Sequence, residues 1–235
     1  MSLATVLIAC GGIGAVMIAG TLLIGHPSAR GPVAGASEEY GKRLMLRPIA
    51  GSRLSCASCH IDAGAEPGEL SLVHAIEHHS QIADRINRCI GGNMNGSPLP
   101  ADSAEMAAMI AWLRFLANRY AATGASEREA HDPPAFKQPA HAANPASGEA
   151  LFEERCADCH GKDGAGLLAT RNSADGYLFP PLWGPDSFNT TADMAAISTA
   201  ARFIKAKMPP GSADLNDDRA FDVAAFVESK PRPTK

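Results

Sequence analysis

The pentapeptide Cys-x-x-Cys-His occurs twice, as CASCH at 56–60 and CADCH at 156–160. In that spacing both sulfurs can form thioethers with the porphyrin vinyl groups, and the adjacent histidine is held where a ring nitrogen meets the iron. A zinc site or a redox C-x-x-C is the plainer alternative, but two such pentapeptides in one chain are rare by chance. The spacing therefore points to two covalently bound haem c groups, one on Cys56, Cys59 and His60 and one on Cys156, Cys159 and His160. Of the six cysteines, Cys10 and Cys89 remain.

Each iron then has a proximal histidine and needs a sixth ligand or an open position. In KAKMPPG at 205–211, Met208 stands directly before two prolines, a stiff loop that holds a thioether with little entropy to lose. The adjacent Lys207 is the competing ligand, and a methionine simply packed in a core is the bland alternative. The corresponding stretch of the first unit, INRCIGGNMNGSP at 86–98, offers two sulfurs, Cys89 and Met94. A methionine there makes a high-potential carrier, a thiolate stabilises ferric iron and lowers the potential, and a lone cysteine is otherwise a small buried hydrophobe. Arg85, one helical turn before Cys89, and the adjacent Arg88 bring positive charge that favours thiolate and holds an anion; a solvated face or propionate partners are the alternatives.

These residues need elements to position them, and the chain repeats its elements. The two motifs lie one hundred positions apart (Cys56 to Cys156), each with a helical lead-in, Glu38 to Leu46 and Ser147 to Arg155, and each with a final helix. The first final helix starts near Asp102 or Ser103 and repeats Met106, Met109, Ile110, Leu113 and Leu116 at helical spacing, to pack over the first haem. The second starts at the Asn216-Asp217 cap and sets Phe221, Ala224 and Ala225 on one face against the Leu151-Phe152 helix. The proline- and alanine-rich stretch at 131–148 lacks a period and reads as linker. The expected fold is all-α: two class I-like cytochrome c domains in tandem after an N-terminal transmembrane helix. The boundaries are 1–27 for an anchor or uncleaved signal, 38–130 for the first domain, 131–145 for the linker and 146–235 for the second.

Composition agrees with that layout. With 235 residues and a net charge of -4 the chain holds one large or two small domains, and nucleic acid is not an expected partner. Only 6% of residues are aromatic, so a core of this size calls for another large apolar body, which two haems supply. The uncharged run at 3–25, with Cys10 inside it, is long enough to cross a bilayer of ~30 Å. Cleavage after Ala34-Gly35-Ala36 is the alternative. Haem attachment of this type occurs outside the bacterial cytoplasm, which places residues 38–235 in the periplasm, on the outer side of the inner membrane.

In DRINRCIGGNMNGSPLP at 84–100, FPPLWGPDSFN at 179–189 and ARFIKAKMPPG at 201–211, the chain resembles the dihaem thiosulfate dehydrogenases, also called tetrathionate synthases. The resemblance implies that Cys89 is the distal ligand of the first haem and an active-site sulfur. It also implies that Arg85 faces the substrate and that Met208 and Lys207 are alternative ligands of the second haem. The implied activity joins two thiosulfates into tetrathionate and passes two electrons to a small periplasmic cytochrome or a membrane oxidase. Arg85, Arg88 and Arg53 are the cations available to the dianion, and Cys89 is available to carry a transient thiosulfonate. Two departures stand out: the segment at 61–83 is short and carries His74, His78 and His79, and Asn93 occupies a position where the family often has serine. The rival readings are a related sulfur anion as substrate, a tethered electron carrier without catalysis, or a subunit of a larger sulfur-oxidising complex.

Overall fold

Side-chain caps set the principal helices of the chain. Helix α1 (Glu38–Met45) is opened by Ser37, whose side chain accepts from the Tyr40 N–H, and it carries acids in its first turn and Lys42 and Arg43 in its last. Helix α2 (Ile82–Arg88) runs into a π-helical turn at Cys89–Asn93. Helix α3 (Ala104–Ala121) starts where the Met106 N–H donates to the Ser103 hydroxyl. Helix α4 (Pro145–Arg155) has Asn144 as cap with proline in its first position, and the short α5 (Ala157–His160) follows it. Strands β1 (Leu167–Leu168) and β2 (Tyr177–Phe179) pair antiparallel. Helix α6 (Ile197–Lys207) precedes the Met208 loop, and α7 (Asp217–Glu228) is capped by Asn216, which accepts from the Arg219 N–H.

The computed structural model describes residues 37–60, 81–122 and 135–235. The chain divides into two units, Met1–Gly31 and Pro32–Lys235, and the described residues all lie in the second. The apolar run at 3–25, Cys10, the Ala34–Ala36 site and His74, His78 and His79 lie outside the described residues. Among the described residues no helix is long and apolar enough to cross a membrane.

The protein is mostly helical, and the same packing device appears twice. Helix α1 crosses α3 at Gly41, where a Cβ would land on the Ala108 carbonyl; α4 crosses α7 at Gly148, where a Cβ would land on the Asp222 carbonyl. Only glycine lets the two backbones approach so closely. One core gathers Met45, Met94, Met106, Met109 and Leu116 around the first crossing. The other gathers Leu151, Phe152, Val223 and Phe226 around the second, with Trp183 tilted against Phe152 and edge-on to Phe226.

Two sequence expectations need correction. The β1–β2 ribbon interrupts an otherwise helical chain; Gly166 and Gly176 flank it at φ 74° and 78°, a region that turns can use and helices cannot. Helix α7 does not bury a single face: Phe221 and Ala224 pack on Ala200 and Ala201 of α6, whereas Val223, Phe226 and Val227 pack on α4. A helix wedged between two others loses the one-sided stripe on which periodicity depends.

Candidate functional site

Each Cys-x-x-Cys-His opens into its own cavity. The larger, about 950 Å³ with its open mouth, is lined by Cys156, Cys159 and His160, and by Met208 from the loop after α6. The remaining wall is largely apolar, from Phe152, Phe188, Ile204 and Val223 among others. His160 is buried, and its Nδ1 lies 2.8 Å from the Pro180 carbonyl oxygen. That contact makes Nδ1 the protonated nitrogen and leaves Nε2 with its lone pair, the arrangement a metal-binding imidazole requires. Burial also holds the ring below its usual pKa, hence neutral.

The second cavity, about 760 Å³ with its mouth, is lined by Cys56, Cys59 and His60 together with Arg85, Cys89 and Met94. Leu113 is the one residue of the α3 stripe on this wall; Met106, Met109 and Leu116 belong to the core behind it. Both sulfurs considered for the sixth position therefore reach one cavity. Met94 is buried in the core as well, while Cys89 is partly exposed. The two cavities share part of a wall, since Cys59 and Asn93 line both.

The cysteines fit thioether chemistry. Burial pushes the Cys56 thiol up to about 12 and the Cys156 thiol up to about 11, so neither is a resting thiolate. Among the described residues no group of three or more His, Cys, Asp or Glu side chains is arranged to hold a metal ion, and the described cysteines form no disulfide. Two sulfurs and an oriented imidazole on the wall of a roomy apolar cavity fit a covalently held porphyrin, and among the described residues the zinc alternative finds no ligand set.

Cys89 is positioned from two directions. Helix α2 delivers it to the first residue of the π-helical turn, a geometry that recurs at functional sites because the extra residue re-aims the side chains. The 186–194 segment then grips that turn. Asn189, completely buried, donates from Nδ2 to the Gly91 carbonyl at 2.7 Å and to Asn95 Oδ1 at 3.1 Å, and its N–H donates to the Gly92 carbonyl at 3.2 Å. Its Oδ1 accepts from the Thr191 N–H and hydroxyl, which fixes the orientation of the amide. Gly92 lies so close to Ala192 that a Cβ would sit 3.0 Å from its Cα. The Met194 N–H donates to Asn93 Oδ1 at 3.3 Å.

The charges differ from the sequence expectation. Arg85 lines the cavity, but its Nη1 donates to Asp193 Oδ2 at 2.7 Å. With the two side chains 39% and 38% exposed, water and small anions reach the pair. Arg88 is exposed and does not line the cavity, and Arg53 is turned to Asp186 at 2.7 Å. Burial is the largest influence on Cys89 and pushes its thiol up; Arg85 pulls it down, Asp193 pushes it up again, and Arg88 contributes least. The arginines therefore do not make Cys89 a free thiolate, and a bound metal would have to displace its proton. Lys207 ends α6 without lining the cavity that Met208 enters. Sequence reasoning missed Asp193 and Asn189, although Asn189 closes the FPPLWGPDSFN stretch at 179–189.

The model of a family described as cytochrome c oxidase, cbb3-type, subunit III matches residues 143–227. A thiosulfate dehydrogenase of Stutzerimonas stutzeri is 37% identical over 194 residues, 78% of this chain and 61% of that protein. A thiosulfate dehydrogenase of Allochromatium vinosum is also 37% identical, over 224 residues, covering 85% of this chain and 79% of that protein. Among solved structures, the as-isolated thiosulfate dehydrogenase TsdBA of Marichromatium purpuratum aligns with a TM-score of 0.71 at 30% identity, over 88% of this chain and 48% of that one. The chain thus spans about three fifths of the Stutzerimonas relative and about half of the aligned structure.

Proposed function

Because the chain belongs to the thiosulfate dehydrogenase family of c-type cytochromes, with covalently bound haem c, we propose that it oxidises thiosulfate to tetrathionate at the first cavity. The reading takes the protein as two tandem cytochrome c domains, 38–130 and 146–235, joined by the linker 131–145 and carrying one haem each. His60 and His160 would each hold an iron through a ring nitrogen, Cys89 would be the second protein ligand and reactive sulfur of the first haem, and Met208, with Lys207 as its alternative, would be the second protein ligand of the other. When bound, the haems supply two one-electron sinks, which match the two electrons released as two thiosulfates form one sulfur–sulfur bond.

The chain's own residues supply binding and orientation. A guanidinium has five N–H donors, so Arg85 can hold Asp193 and still receive a sulfonate oxygen. Arg88, exposed one turn away, attracts the dianion from solution without touching it. Asn189 holds the turn that presents Cys89, and the Cys89 sulfur is the atom that meets the sulfane sulfur of the substrate. The wall that the cavities share at Cys59 and Asn93 supports electron passage from the first to the second. Electrons leave to a small periplasmic cytochrome or a membrane oxidase, with the protein on the periplasmic side of the inner membrane, tethered by residues 3–25 or released by cleavage after Ala36.

One observation carries this reading: Cys89, Arg85 and the first Cys-x-x-Cys-His share a single cavity whose charged pair is open to solvent. Replacing Cys89 tests it. Cys89→Gly is expected to abolish tetrathionate formation while both haems remain attached by mass; retained turnover would contradict the assignment and favour a carrier or partner-dependent subunit.

A further inference from the structure

The larger cavity contains an ion pair that thiosulfate oxidation does not use. Glu228, the last residue of α7, lines it, and Arg232 lies four residues on. Their side chains are 8% and 5% exposed, with Arg232 Nη2 at 3.2 Å from Glu228 Oε2. Arg232 Nη2 also donates to the Val227 carbonyl at 2.7 Å, and its guanidinium lies over the ring of Phe188, itself part of the cavity wall, at 4.1 Å to the centroid. Two polar atoms of the pair, Glu228 Oε1 and Arg232 Nη1, are buried with no hydrogen-bond partner among the described residues.

Buried polar atoms are rarely left unpaired, because each loses its water without recovering a hydrogen bond. Here an acceptor oxygen and a donor nitrogen are orphaned together, on a pair whose carboxylate belongs to the cavity wall. A carboxylate-bearing group satisfies both: it accepts from Nη1, and it accepts again from Glu228 when that side chain is protonated. Haem carries two propionates. We propose that Glu228 and Arg232 hold a propionate of the second haem, and that Glu228 takes up a proton when that haem is reduced. The proposal rests on the reading that the larger cavity holds a haem, and not on the substrate of the first.

Supporting it, burial lifts the Glu228 carboxyl to about 7, with Arg232 opposing by less, so the side chain is poised to change protonation near neutrality. The other ionic groups nearby are committed elsewhere or neutral. Arg155 of α4, on the same cavity wall, is held by Asp214 at 2.7 Å, and Lys230 lies over the Phe226 and Trp183 rings and near Glu149. From the 180–190 segment, Asp186 is turned to Arg53 and Tyr177, and His160 of the motif is neutral.

The balance is one electron and one proton. An electron from the oxidation at the first cavity adds one negative charge to the larger cavity; in the molecules whose Glu228 then protonates, a proton from solvent forms an O–H bond on that side chain and offsets the charge. Since added negative charge raises the carboxyl pKa, the potential of the second haem is constant below the oxidised-state pKa. It falls with rising pH up to the reduced-state pKa and is constant above that. A unit charge at this range changes proton affinity on the order of tenfold, which for a one-electron couple is ~59 mV.

The test is a potentiometric titration of the haem-loaded full chain at about pH 6 to 9, for the wild type and for Glu228→Gln. Haem content is read first by mass, so that a chain carrying one haem contradicts the two-haem reading rather than this proposal. Expected is a fall of ~59 mV in the second-haem potential across that range in the wild type, absent from Glu228→Gln. A wild-type slope that survives unchanged in Glu228→Gln, as titration of Lys207 or of a propionate itself would leave it, overturns the proposal. Should the variant not assemble, the redox infrared difference spectrum of the wild type decides. A protonated-carboxyl band that grows on reduction is expected, and its absence overturns the assignment.

Discussion

Asn189 provides a direct test of whether the second half of the chain positions Cys89, the proposed reactive cysteine. Asn189→Ala removes the two Nδ2 hydrogen bonds that tie the 186–194 segment to the Cys89 turn, those to the Gly91 carbonyl and to Asn95 Oδ1. The Gly91 carbonyl keeps a second donor, Lys235 Nζ at 3.0 Å, and Thr191 is exposed enough to hydrogen-bond water, so neither adds much. Two net bonds at ~1 kcal/mol each, plus ~1 kcal/mol for the acceptor left in a buried place, sum to about 3 kcal/mol. For a chain of this size that corresponds to a fall of roughly 6–12 °C in apparent melting temperature. Asn189→Asp sharpens the test, because it keeps the shape and the acceptor for Thr191 but turns a carboxylate oxygen toward the Gly91 carbonyl. At about pH 8 it is expected to cost at least as much as alanine. Its folded-state pKa is raised, because the protonated acid can donate as the amide did. The native state then binds more protons than the unfolded one, and the deficit shrinks as pH falls toward the folded-state pKa. The assay is thermal unfolding of the haem-loaded protein at about pH 8 and again at about pH 6, with the absorption and electron-resonance signature of each haem as second readout. The first haem's distal signature is expected to change while the second's stays. An Asn189→Asp protein that melts within about 2 °C of wild type at pH 8, a small fraction of the expected shift, would refute the clamp.

Three further perturbations address other joints of the account. Arg85→Ala is expected to raise KM for thiosulfate at least tenfold, whereas Arg88→Ala, on an exposed side chain outside the cavity, should change it by less than about threefold and only at low salt, where exposed charges are least screened; equal effects would contradict the different placement of the two. Asp193→Asn keeps a hydrogen bond to Arg85 but removes the negative charge beside the anion, so KM should fall severalfold at low ionic strength and converge with wild type at high salt, and a rise in KM at low salt would contradict the geometry. Gly148→Val drives a side chain onto the Asp222 carbonyl at the α4–α7 crossing, which is expected to cost ~3 kcal/mol or more and show as loss of folded, haem-loaded protein, while Gly91→Ala, with open space around it and no positive φ, should cost far less; equal yields would argue against the close crossing.

What could be read from the sequence was local. The Cys-x-x-Cys-His pentapeptides, the caps Ser103 and Asn216, and the stiff Met208 loop each depend on neighbours a few positions away, so their chemistry is written in spacing. Cys89 drew attention because its turn is rich in glycine and asparagine, a composition that suits the π-helical turn seen there. The ionic environment of the site was not legible, because Asp193 reaches Arg85 across 108 positions and Asn189 reaches Gly91 across 98. The Glu228–Arg232 pair sits at helical i, i+4 spacing and reads as an ordinary surface ion pair; burial of both side chains, set by the path of the tail, changes its meaning. The glycine crossings carried a usable signal: Gly41 and Gly148 both fall inside lead-in helices, where a residue unfavourable to the helix by ~1 kcal/mol calls for a packing reason.

The central claim, that thiosulfate is oxidised at a cavity containing Cys89, is tested most directly under anaerobic conditions. Oxidised, fully haem-loaded protein is mixed with thiosulfate, and reduced-haem absorbance and tetrathionate are followed together. The account predicts that the haems reduce and that one tetrathionate appears for each pair of electrons taken up. Haems that stay oxidised with thiosulfate yet reduce with dithionite would contradict it, leaving an electron carrier whose cavity around Cys89 serves something other than turnover.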